Sequence, residues 1–181
     1  MVGLAEYYHG MGGNIKPWED FMRSALNFTV LHNTLAKLDG AAAFPSRGCA
    51  AGDDLYIAGV PDYWVGEPDT AAATAELPAG AEWLMLSHQP GEFPNARDAG
   101  VGLQLSGHVH AGQCFPLHMG VWAAQRGRFS GLYREADSFL YVSNGQMNWG
   151  PRVRLYSSPE NTVVRIMRGI SVLMLWCLPD S

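Results

Sequence analysis

Two apolar runs in this chain each break on a histidine, and few arrangements satisfy both. Glu82 to Leu86 ends at Ser87-His88-Gln89-Pro90, where the proline stops a strand because it cannot donate to a ladder. Val101 to Leu105 repeats the pattern and closes on Ser106-Gly107-His108-Val109-His110-Ala111-Gly112-Gln113. Short apolar runs bounded by turn residues read as buried strands. The stretch between them, Gly91 to Ala99, suits a short helix, and such a unit makes the two strands parallel with their carboxyl ends side by side. His88, His108 and His110 are therefore expected at one end of one sheet, where turns are free to vary and ligands gather. Imidazole is the commonest metal-ligating side chain, so the expectation is a metal site.

Leu-Ser-His-Gln-Pro followed by Leu-Gln-Leu-Ser-Gly-His-Val-His-Ala-Gly-Gln closely resembles the last two metal motifs of the calcineurin-like metallophosphoesterases. Other stretches follow the order of that family's bacterial-type branch. Upstream these are Glu6-Tyr7-Tyr8, Trp18, Thr29-Val30-Leu31-His32-Asn33 and Ala58-Gly59-Val60-Pro61-Asp62. Downstream they are Gly131-Leu132-Tyr133, Leu140-Tyr141-Val142-Ser143-Asn144-Gly145, Pro151-Arg152 and Pro159-Glu160. The resemblance implies a four-layer α/β/β/α sandwich truncated at its N-terminal side, with 1–168 a C-terminal portion of the phosphoesterase domain and 169–181 a short apolar tail. It also implies metal-dependent hydrolysis of phosphoric esters, with His88 and His108 binding the second ion and His110 the first. Two ions about 3.5–4 Å apart clamp the attacking and leaving oxygens of an in-line displacement. The implied cofactors are divalent manganese, iron or zinc, and the implied substrate is a phosphoester whose type is left open.

The match also breaks. The family's Asp-x-His and bridging Gly-Asp turn stand N-terminal to everything matched here. Its Gly-Asn-His motif falls on Gly3-Leu4-Ala5-Glu6, which puts Leu4 in place of the asparagine ligand and Ala5 in place of the catalytic histidine. Without a carboxylate bridge, two dications facing only neutral imidazoles repel, so one ion or none is expected. One reading is thus part of a metal-dependent phosphoesterase, inactive alone. Another is a non-catalytic remnant that binds one ion or a partner protein. A third is a cupin-like barrel, since Gly102, five residues and His108-Val109-His110 match the start of that motif. Cys114 and Phe115 stand where its glutamate belongs, and His88 is left unexplained.

Composition narrows the partners. Charged residues make up 16%, against about 25% in ordinary domains, which suits faces that are to be covered and predicts self-association through exposed sheet. A net charge of −5 without a lysine or arginine run argues against a nucleic-acid patch. Cys49, Cys114 and Cys177 form no C-x-x-C pair. Neither a nucleophile elbow nor a phosphate loop is present. No signal peptide is visible, and the apolar stretch Ile170 to Leu178 is only nine residues long, short of the roughly 20 that cross a bilayer. The location is left open, a longer membrane-associated parent included. His9, His32 and His118 read as solvated histidines, and Arg152 and Asn144 as surface residues that could touch a phosphate.

The remaining elements follow from local signals. Pro17 opens a helix to about Leu26, and Phe28 to Leu31, Leu35 to Leu38 and Leu55 to Val60 read as strands. Asp69 to Ala75 and Pro116 to Ala124 suit short helices. Phe129 to Tyr133, Ser138 to Val142, Arg152 to Tyr156 and Thr162 to Ile166 suggest antiparallel hairpins.

Overall fold

A computed structural model describes residues 15–39, 54–63, 66–148, 150, 152–166 and 174–178. The chain begins there with helix α1 (Lys16–Ser24), opened by Pro17 in its first turn, and continues with strands β1 (Thr34–Leu38) and β2 (Leu55–Gly59). Asp69 caps the short helix α2 (Thr70–Ala73) by accepting from the Ala72 amide. Strand β3 (Trp83–Leu86) leads through a 3-10 turn (Pro90–Glu92) into α3 (Phe93–Asp98), and β4 (Leu103–Ser106) follows. After a second 3-10 turn (His110–Gly112) come α4 (Leu117–Ala124), β5 (Gly131–Glu135), β6 (Ser138–Val142), β7 (Asn161–Arg165) and β8 (Met174–Leu178).

Six strands form one mixed sheet in the order β1-β2-β3-β4-β6-β5. The inner run β2, β3, β4 and β6 is parallel, and the two edges, β1 and β5, pair antiparallel. Sheets buried on both faces need strands apolar at every position, and this is what Trp83-Leu84-Met85-Leu86 supplies. Trp83 and Met85 face Phe93 and Ala96 of α3, together with Ala58, Leu140 and Val142. Leu84 and Leu86 face the other way, with Leu103, Tyr141 and Val164 of β7. The β7–β8 pair is antiparallel and forms the second sheet. The Tyr141 hydroxyl lies 2.7 Å from the Thr162 hydroxyl and donates to Glu160 at 2.6 Å, which ties β7 to the large sheet. Helices, large sheet and small sheet are the α/β/β layers of the expected sandwich. Met85 and Leu140 are fully buried, so truncating either to alanine costs about 2–5 kcal/mol.

Two expected strands are corrected. Phe28 to Leu31 is irregular, because it crosses the end of β2 instead of lying beside it. A Cβ on Gly59 would stand 2.4 Å from the Leu31 Cβ, so the crossing needs glycine there. Arg152 to Tyr156 is also irregular apart from one bridge between Leu155 and Cys114, and Tyr156 at φ +63° breaks any extended run. The parallel inner sheet overturns the cupin-like barrel, which is built from antiparallel strands. Part of the apolar tail, Met174–Leu178, is a strand paired with β7.

Candidate metal centre

Three parallel strands end side by side, and their hydrogen-bond ladders run on past those ends. The Val60 amide donates to the Leu86 carbonyl at 3.2 Å, the Ser87 amide to Leu105 at 3.1 Å and the Gly107 amide to His88 at 3.0 Å. These bonds hold the turns after β2, β3 and β4 against one another, so Asp62, His88 and His108 converge. His88 Nε2 lies 3.0 Å from His108 Nδ1 and 3.6 Å from Asp62 Oδ2, and one donor atom from each residue falls within 4.8 Å of the others. The two rings meet edge to face, with centroids 4.7 Å apart.

The donor set suits a small divalent ion. Bonds of about 2.0–2.1 Å at tetrahedral angles put ligand atoms about 3.3 Å apart, and the observed separations straddle that value. Burial, followed by the neighbouring His108, lowers the His88 pKa to about 4 against the opposing pull of Asp62, so the imidazole is neutral and fit to ligate at neutral pH. His88 Nδ1 is buried with no hydrogen-bond partner among the described residues. A ligating histidine usually anchors that nitrogen on an acceptor, so this ligand set is less rigid than a fully supported one.

Asp62 is fixed by its neighbour. The Tyr63 amide donates to Gln89 Oε1 at 3.1 Å, and the Tyr63 hydroxyl donates to Glu92 Oε2 at 2.5 Å. Glu92 is 1% exposed and also accepts from the Thr70 hydroxyl at 2.6 Å and the Asn95 amide at 2.9 Å. Burial and the Glu92 carboxylate push the Tyr63 phenol up to about 12. This clasp joins the turns after β2 and β3 directly behind the ligands.

His110 takes another course. His108, His110, Ala111, Gly112 and Gln113 all have positive φ, a left-handed turn that swings successive side chains apart. Gly112 has room for no Cβ, since one would stand 2.2 Å from the His118 Cα. His110 Nδ1 accepts from Arg154 Nη2 at 3.0 Å, and its carbonyl accepts from the Ser157 hydroxyl at 2.6 Å. Arg154 also donates to the carbonyls of Asn144, Gly145 and Met147. Burial lowers the Arg154 pKa.

The strand-end expectation thus brings His88 and His108 together, whereas His110 faces the 144–157 loop. Asp62 joins them, a residue whose one local signal is its place just after a strand, as for His88. Asn144 is held by Ser130 at 2.7 Å and its amide by Glu160 at 3.0 Å, while Arg152 is exposed. Beside the ligands lies a cavity of about 360 Å³, walled by Trp18, Phe28, Val30 and Leu31 as well as Asp62 and His88. Glu19 and His32, 3.7 Å apart, also line it.

No family model matches the chain, and no solved structure does. Among curated proteins it is 31% identical over 172 residues to an uncharacterized metallophosphoesterase of Helicobacter pylori, an alignment covering 91% of this chain and 41% of that protein. A metallophosphoesterase of Campylobacter jejuni is 32% identical over 168 residues, with the same two shares. A bovine transmembrane protein with metallophosphoesterase domain is 32% identical over 168 residues, covering 90% of this chain and 37% of that protein. The chain therefore spans about two fifths of the length of the curated relatives it matches.

Proposed function

The chain belongs to the metallophosphoesterase family, and from that premise we propose that it supplies part of a site that hydrolyses phosphoric esters with the help of divalent metal. Residues 1–168 form a C-terminal portion of the phosphoesterase domain. Asp62, His88 and His108 hold one ion, and the carrying observation is the convergence of their donor atoms at the ends of three parallel strands. An ion bound there would supply Lewis-acid polarisation of a phosphoryl oxygen. The chain's own residues position it: Asp62 contributes charge, the two neutral imidazoles contribute direction, and the Tyr63–Glu92 clasp keeps the carboxylate in place. His110, held by Arg154, is kept for a second ion.

A single-ion, non-catalytic role is the second reading. It is favoured by the fact that the described residues contain one convergent group of three ligands and that His110 stands outside it. A longer parent anchored to a membrane agrees with the name of the bovine relative, and self-association through exposed sheet is the accompanying expectation.

Calorimetric titration of the whole chain with zinc or manganese tests the site. One ion should bind, weakly, and the affinity should fade as the pH falls toward 4 and the His88 imidazole protonates. No binding at neutral pH would overturn the reading. The chain alone should hydrolyse an aryl phosphodiester no faster than buffer. Fusion to a family N-terminal half carrying Asp-x-His, Gly-Asp and Gly-Asn-His should give manganese-dependent turnover that His108→Ala removes. Metal-dependent turnover by the unfused chain, lost in His108→Ala, would show that those N-terminal motifs are dispensable.

A further inference from the structure

We propose that the α4 face of the molecule docks on an anionic lipid surface. The helix reads Leu117-His118-Met119-Gly120-Val121-Trp122-Ala123-Ala124, apolar on nearly every side, yet none of its residues is buried. A helix of that composition normally sits inside a core or in lipid. Leu117, Met119 and Trp122 instead remain 57%, 62% and 54% exposed. Phe115, just ahead of the helix, is also exposed, and the still more exposed Tyr156 meets it edge-on at 6.3 Å. The Leu155 amide donates to the Gln113 carbonyl at 2.9 Å, so the 152–156 loop is tied to this segment and widens the same face. Tryptophan and tyrosine settle at the headgroup level of a bilayer, and leucine, methionine and phenylalanine reach the acyl boundary below it.

Charge selects the occupant. The chain carries −5 overall, yet no acidic residue stands between Asp98 and Glu135, or between Asp137 and Glu160. Arg128 and Arg134 are paired with Glu135 and Asp137. Arg126, just past the end of α4, and Arg152 are exposed and form no ion pair among the described residues. An apolar face edged by cations on an otherwise acidic protein complements anionic headgroups. A second copy of the same face would set cation against cation. The face follows directly on the His110–Gly112 turn, so docking would hold the histidine turn close to the lipid.

Sedimentation with vesicles tests this on the whole chain. Vesicles of phosphatidylcholine with about 30% phosphatidylglycerol should bind at least about tenfold more tightly than pure phosphatidylcholine, and salt should weaken the difference. Leu117→Glu with Trp122→Glu should abolish binding, and Arg126→Glu with Arg152→Glu should remove the preference for anionic lipid. Leu132→Glu, at an exposed apolar position on β5, should change neither. Thermal melts keep the comparison fair; if the double variant melts early, Met119→Glu replaces it, at the most exposed large apolar side chain of the helix. Equal binding to both vesicles, no binding to either, or an equal loss in Leu132→Glu overturns the proposal. So does a protein dimer that the Leu117→Glu, Trp122→Glu variant dissolves without any lipid being bound.

Discussion

His108 and His110 stand two residues apart in one turn and end in different chemistry. His108 lies 3.0 Å from a half-buried imidazole and within ligating reach of a buried carboxylate. His110 meets a guanidinium that is already bonded to three carbonyls. The first environment brings three donor atoms to converge; the second holds the imidazole against the 144–157 loop. Spacing along the chain therefore says little about role when both histidines stand in positive-φ backbone, and the partners decide.

The largest way to separate the two halves of the turn is acidity. With metal removed by chelator, His88 titrates near 4 in the folded chain and near 6.5 unfolded, so the unfolded state takes the proton first. Stability is then complete above about pH 6.5 and falls as pH drops toward 4, by up to about 3 kcal/mol. Urea melts across this range should show the loss in the parent and in His110→Gln, but a flatter profile in His88→Gln. An unchanged profile in His88→Gln would count against the neutral buried imidazole.

Metal affinity gives the next contrast. Zinc titrations should find His108→Ala weakened at least about 100-fold, while His110→Ala stays within about threefold, because only the first removes a donor. Equal losses would mean that the turn acts as one unit and the contrast is false. Arg154→Ala reverses the pattern: it strips donors from the carbonyls of Asn144, Gly145 and Met147, costs about 2 kcal/mol in a denaturant melt, and leaves zinc affinity nearly untouched. The smallest effect belongs to Asp62→Asn, which keeps shape and removes charge; about a tenfold loss of zinc affinity is expected from calorimetry.

What could be read in advance follows from range. The parallel strands β3 and β4 and the convergence of His88 with His108 were legible, since apolar runs, a stopping proline and the connection between them are local signals. Asp62 was not, because Pro-Asp after a strand is also ordinary turn chemistry and carries no mark of a ligand. The direction of His110 depends on an arginine 44 residues further on, which no local pattern contains. Phe28 to Leu31 misled for a related reason: its composition is that of a strand, but Gly59 lets it cross above the sheet end instead of joining it.

The ladder bonds that run past the strand ends also set an order of events in folding. His88 and His108 are 20 residues apart and meet only after the intervening crossover has closed, and the turn bearing Asp62 must be brought in by a second one. Pairings of this kind bear their loop-closure entropy before any contact rewards it, so they form late and break early. An ion that binds the finished cluster and not the open chain would act on the last step alone, slowing unfolding while leaving the rate of collapse as it was.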